Sequence, residues 1–344
     1  MSHKTEVVVV TGASAGVGRA VVREYARKGA AIGLIARGHV GLDAVSREVE
    51  QLGGKAIAVP ADVSCFSNVD AAATTIEDTF GPIDVWINNA MVSILCPLDE
   101  IAPDEFKRVT EVTYLGYVYG TMAALKRMKP RDRGVIVQVG SALAHRSIPL
   151  QSAYCGAKHA IVGFTESLRC ELIHDKSKIR TTMVHLPGVN TPQFQWIKNC
   201  LPNKPQPVGT IFQPEVAARA ILWAAEHHPR EMLVGMPTVK SVIGDKFVPG
   251  TLDRYLARLV YREHQTDEPD DPARLNNLWN PVEIDYGAHG PFDSSAKQVS
   301  AQLWLNTHLT YIGMFAAFLV GLALTSSYPV QRKRLADYSP HTKS

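Results

Sequence analysis

The stretch that most limits the fold is residues 6–18, Glu-Val-Val-Val-Val-Thr-Gly-Ala-Ser-Ala-Gly-Val-Gly. A short apolar run of β-branched residues ends in a glycine-rich turn, which predicts a buried parallel strand. A helical pattern follows through Ala20, Val21, Tyr25 and Ala26. Strand, glycine loop and helix in that order make a dinucleotide site. The glycines let the backbone approach a pyrophosphate, and the helix N-terminus offers N–H groups and a favourable dipole. Gly12, Gly16 and Gly18 set the spacing G-x-x-x-G-x-G, with Ser14 and Val17 between them. An empty structural turn is the plain alternative, and the loop's place after the first strand favours the functional reading.

The rest of the N-terminal two thirds alternates strands with helices. Residues 31–36 predict a second strand, followed by Arg37. An acid at that strand end would hold the adenosine ribose of NAD, but a guanidinium suits a 2′-phosphate. NADP(H) is therefore favoured over NAD(H). Helix 40–52 leads to a third strand at 55–59 and to Asp62, which either binds the adenine amino group or caps helix 67–80. A fourth strand at 83–87 precedes Asn88, Asn89, Ala90 and Met91, at the strand end where open α/β sheets bind ligands. A long helix at 103–128, a fifth strand ending on Ser141, a helix at 152–174 and a sixth strand at 179–186 follow. Residues 193–213 are rich in proline and aromatics without periodicity, and loops of that length are often functional. A helix at 214–228 and a last strand at 231–235 complete a doubly wound parallel sheet.

Tyr154 and Lys158 are four positions apart at the start of helix 152–174, so they share one face. A free phenol titrates near pH ~10, too high for easy proton exchange at neutral pH. A nearby ammonium favours the phenolate and makes the phenol a usable acid/base. Alone, the pair is a common helical coincidence.

Composition excludes other classes. The 36 Lys+Arg residues nearly balance the 33 Asp+Glu, which gives no footprint for nucleic acid. Five cysteines, Cys65, Cys96, Cys155, Cys170 and Cys200, show no regular spacing. They predict reduced thiols rather than a disulfide framework or a zinc site, and no metal site is expected. The first residues carry no apolar secretory segment.

In order and spacing these pieces resemble the short-chain dehydrogenase/reductase family over residues 4–235. The resemblance implies a Rossmann fold, strand order 3-2-1-4-5-6-7, and hydride transfer between an alcohol/carbonyl pair and a nicotinamide cofactor. It implies that Tyr154 is the acid/base and that Lys158 tunes it and binds the nicotinamide ribose. Ser141 would hold the substrate oxygen. Asn89 and Ala90 would shape the cofactor floor, with Pro187, Val189 and Thr191 beside the carboxamide. Two positions depart from the family: Met91 replaces a glycine, and Thr113 stands where an asparagine usually holds a relay water. These departures leave a rival reading, a catalytically weak dinucleotide-binding sensor or scaffold. Met91, Leu95, Leu143, Ile148, Phe194 and Trp196 suggest an apolar substrate.

Four segments are expected: a catalytic domain over 1–238, an extension and polar linker or strap over 239–297, a membrane-associated helix over 298–331 and a basic tail over 332–344. Residues 309–328 are mostly apolar and long enough to cross a ~30 Å bilayer core. Gly313, Ala317 and Gly321 form a small-residue face that could pair two helices. Membrane association with a cytoplasmic catalytic domain is expected, the alternative being a soluble cytoplasmic protein in which that helix is buried or covers a dimer; a homo-oligomer is also expected.

Overall fold

The computed structural model describes residues 5–309. Seven parallel strands form the central sheet: β1 (Val7–Thr11), β2 (Ala31–Ala36), β3 (Lys55–Pro60), β4 (Val85–Asn88), β5 (Val135–Ser141), β6 (Arg180–Leu186) and β7 (Glu231–Leu233). Their order across the sheet is β7-β6-β5-β4-β1-β2-β3, as expected. β1 sits at the crossover, pairing with β2 on one side and β4 on the other.

Alternation along β1 feeds two layers, since successive side chains point to opposite faces. Val8 and Val10 meet α1 (Gly16–Arg27), α2 (His39–Gln51) and α7 (Pro214–His227). Val7 and Val9 meet α3 (Phe66–Phe80), α5 (Gly116–Met128) and α6 (Ser152–His174). The expected helix 103–128 is two helices, α4 (Pro103–Thr110) and α5, joined by a π-helical turn at Glu111–Leu115.

The extension forms α8 (Gly235–Phe247) and α9 (Pro249–Tyr255). Residues 270–297 are largely irregular, and they are no free linker: Leu278 is fully buried. No described helix is long and apolar enough to cross a membrane. The apolar stretch beyond Leu309, and with it most of the expected span, lies outside the described residues.

The reduced-thiol expectation is corrected for one pair. Cys96 and Cys200 form a disulfide with Cα atoms 5.0 Å apart. The short strands Ile94–Leu95 and Lys198–Asn199 pair in parallel, Ile94 with Lys198 and Leu95 with Asn199, so the next residues on each are brought side by side. A separation of 104 residues in the chain hides that register from sequence spacing.

Candidate active site

The glycine loop closes on itself at van der Waals limits. Gly16 has φ +58°, and a Cβ on Gly18 would lie 2.1 Å from the Gly12 carbonyl oxygen. Asn89 holds the loop against β4, its Nδ2 donating to the carbonyls of Thr11 at 3.0 Å and Gly12 at 3.2 Å. Thr11 adds its hydroxyl, which accepts from the backbone N–H of Asn89 and Ala90. The result is a rigid cradle at the N-terminus of α1 and the ends of β1 and β4. A cleft of about 210 Å³ runs from it, lined by Gly12, Ser14, Val17, Arg37, Asp62 and Thr191 among others. The glycine contacts and the helix N-terminus fit a dinucleotide.

The cleft continues into a cavity of about 290 Å³ that holds Ser141, Tyr154 and Lys158. Val17, Asn89, Met91 and Thr191 line both. Pro187 and Val189 line the cavity, so the sequence-selected residues converge on one continuous site. Ser141 ends β5, and its Oγ accepts from the Leu143 N–H at 3.1 Å. It also bonds the Tyr154 hydroxyl.

Three expectations change. Burial pushes the Tyr154 phenol above its ordinary value, and the Ser141 bond only partly offsets this. Lys158 Nζ lies 5.6 Å from the Tyr154 ring centroid and donates to Tyr117 Oη at 2.9 Å and the Val139 carbonyl at 2.8 Å. Burial draws Lys158 itself down to about 7. Secondly, the Thr113 hydroxyl is engaged with the Val92 backbone and not with Lys158 or Tyr117. It donates to the Val92 carbonyl and accepts from the Val92 N–H, pinning the turn after β4. Thirdly, Asp62 does not cap α3, whose N-cap is Cys65. Its carboxylate accepts from Ser64 and pairs with Arg108 beside the cleft.

A family profile described as short chain dehydrogenase matches residues 6–199. The chain belongs to that family. It is an oxidoreductase of the kind that acts on CH–OH groups with a nicotinamide dinucleotide. An uncharacterized oxidoreductase, YxnA, of Bacillus subtilis is 34% identical over 279 residues, covering 80% of this chain and 78% of the relative. The 3-dehydrosphinganine reductase of Danio rerio is 31% identical, covering 62% and 67% respectively. The fatty acyl-CoA reductase of Acinetobacter baylyi is 29% identical, covering 70% and 79%.

Short-chain dehydrogenase motifs did not reveal two groups in the site. Tyr117 is fully buried and is the lysine's side-chain partner, its own hydroxyl donating to the Val139 carbonyl at 3.0 Å. Its position one turn after Thr113 was the available signal. His264, 1% exposed, lines the substrate cavity from the extension, and burial lowers it to about 4, so it is neutral. Of the expected apolar lining, Met91, Leu143, Ile148 and Phe194 face this cavity. Trp196 lines the cofactor cleft instead, and Leu95 packs with Leu150 and Ile197.

Proposed function

We propose that the enzyme reduces the carbonyl group of a largely apolar substrate, with Tyr154 as proton donor. The observation that carries this is a buried phenol beside the Ser141 hydroxyl, in a cavity continuous with the cofactor cleft. A phenol that keeps its proton at neutral pH suits donation more than abstraction. When bound, the dinucleotide supplies the hydride.

The chain's residues do the rest. Ser141 orients the carbonyl oxygen through its hydroxyl and stabilises charge developing there. Tyr154 Oη passes its proton to that oxygen. Lys158, fixed by Tyr117 and Val139, places a positive charge below the ring while it is protonated. Leu143, Ile148, Phe194, Val208, Leu256 and Val260 give the cavity its apolar wall. The relatives named for fatty acyl-CoA and 3-dehydrosphinganine chemistry support a long-chain substrate.

The test is a panel of aldehydes and ketones of rising chain length, with NADH and NADPH. Turnover should favour apolar chains, and Tyr154→Phe should lose about 10²–10⁴-fold in kcat while still binding dinucleotide. No reduction of any carbonyl by the parent protein would sink the reading. We further propose membrane association through residues 298–331, on the composition of that stretch. Loss of residues 298–344 should move the protein from the membrane to the soluble fraction, and no change on truncation would refute it.

A further inference from the structure

The adenosine end of the cofactor cleft is finished by a segment well beyond the matched family region. Asn277, Pro281, Val282 and Ile284 form one wall of the cleft, opposite Arg37, Gly38 and Gly41. This strap is tied down along its length. Arg108 Nε donates to the Leu278 carbonyl at 3.1 Å. The buried Arg19 pairs with Asp285, and the Gly16 N–H donates to the Gly287 carbonyl at 3.1 Å.

Two of its contacts lie between the end of β2 and the start of α2, where a dinucleotide's adenosine ribose would be held. Arg37 spends its guanidinium on the strap: Nη1 donates to the carbonyls of Trp279 at 2.9 Å and Leu278 at 3.4 Å, and Nη2 donates to that of Asn277. Glu283 then brings a carboxylate to the start of α2. It accepts from the N–H of His39 at 3.3 Å and of Val40 at 3.1 Å. Its two oxygens would lie 3.3 and 3.4 Å from a Cβ on Gly38, the residue that follows Arg37. The helix N-terminus that would attract an incoming anion is thus already answered by an anion. The neighbouring cations are engaged as well, Arg108 with Asp62 and Arg19 with Glu48 and Asp285.

We propose that Glu283 is a cofactor-specificity residue, delivered by the strap, that selects NAD(H) over NADP(H). A 2′-phosphate carries roughly −1.5 to −2 charges at neutral pH and meets a like charge here. A 2′-hydroxyl can donate to a carboxylate. This reverses the choice that Arg37 alone implies: the guanidinium is the anchor of the strap. The inference rests on the proposed use of a nicotinamide dinucleotide.

The experiment is titration of NAD⁺ and NADP⁺ against the full chain, by calorimetry, for the parent and three variants. The parent should bind NAD⁺ at least about tenfold more tightly, the scale of one partly screened like-charge contact. Glu283→Gln should bring the two affinities together, and Glu283→Lys should invert them. Arg37→Ala should weaken both cofactors alike, because it frees the strap. Tighter binding of NADP⁺ by the parent, an unchanged ratio in Glu283→Gln, or loss of NADP⁺ affinity alone in Arg37→Ala would each overturn the proposal. Binding of neither dinucleotide would instead refute the underlying cofactor reading, and the specificity claim with it.

Discussion

Lys158 is 2% exposed, and its burial sets the charge balance of the site. Its folded value of about 7 lies below the ordinary 10.5. Below pH 7 the folded protein therefore carries a desolvated ammonium, and stability rises as pH climbs from 7 toward 10.5 because the unfolded chain binds the extra proton. Lys158→Met should be inactive yet more stable than the parent below pH 7. The gain should be on the order of 1.4 kcal/mol for each tenfold loss of proton affinity that burial imposes on the lysine. That advantage should fade by pH 10.5 in urea titrations at several pH values. Equal stability of the two proteins across the range would show that the lysine is not desolvated. Tyr117 positions that lysine. Tyr117→Phe should fold normally, reduce kcat about three- to tenfold, and move the alkaline limb of the pH–rate profile to lower pH, since the ammonium loses an acceptor. A lowered kcat with an unmoved profile would reduce Tyr117 to a packing role. The pair Tyr154 and Lys158 was legible in sequence because helical spacing is local. The direction of the tyrosine's shift was not, because it depends on how deeply two elements bury it.

At the scale of elements, each predicted strand of the sheet exists, and so do the predicted helices around it except that 103–128 is two helices and not one. Apolar, often β-branched runs make the strands, and a glycine ends the first of them. Sequence missed what arises where elements meet. The π-turn at Glu111–Leu115 and the lock of Thr113 on Val92 belong to the packing of α4 and α5 under the β4 end. The Cys96–Cys200 bond belongs to a two-residue strand pair with no periodicity of its own. It ties the turn after β4 to the loop beside the substrate cavity across a separation of 104 residues. Replacing both cysteines by alanine should lower unfolding stability by ~2–4 kcal/mol, as closure of a long loop implies. Reductant should bring the parent to the same value in urea unfolding. A reductant-insensitive parent would mean that the bond does not form.

For the whole molecule, the catalytic face is assembled from parts of unequal visibility. The glycine cradle, Asn89, Ser141, Tyr154 and Lys158 lie within residues 12–158 and could be read from ordered motifs. Asn277, Pro281, Val282 and Ile284 line the cofactor cleft from a stretch whose composition reads as linker, and His264, just before it, lines the neighbouring cavity. Polar, turn-rich sequence has no period to betray that it is pinned by Arg19, Arg37 and Arg108. The strap thus turns an extension into part of the cofactor site. In the mechanism proposed above, this one site delivers hydride to a carbonyl carbon while Tyr154 protonates the oxygen. Both halves of that step are read together by supplying reduced nicotinamide dinucleotide deuterated at C4 with a long-chain aldehyde, followed by mass analysis of the alcohol. The parent protein should leave one deuterium on the carbinol carbon, and Tyr154→Phe, which still binds the dinucleotide, almost none. Deuterium transfer by Tyr154→Phe at the parental rate would contradict the mechanism, as would dinucleotide binding by the parent with no transfer to any carbonyl.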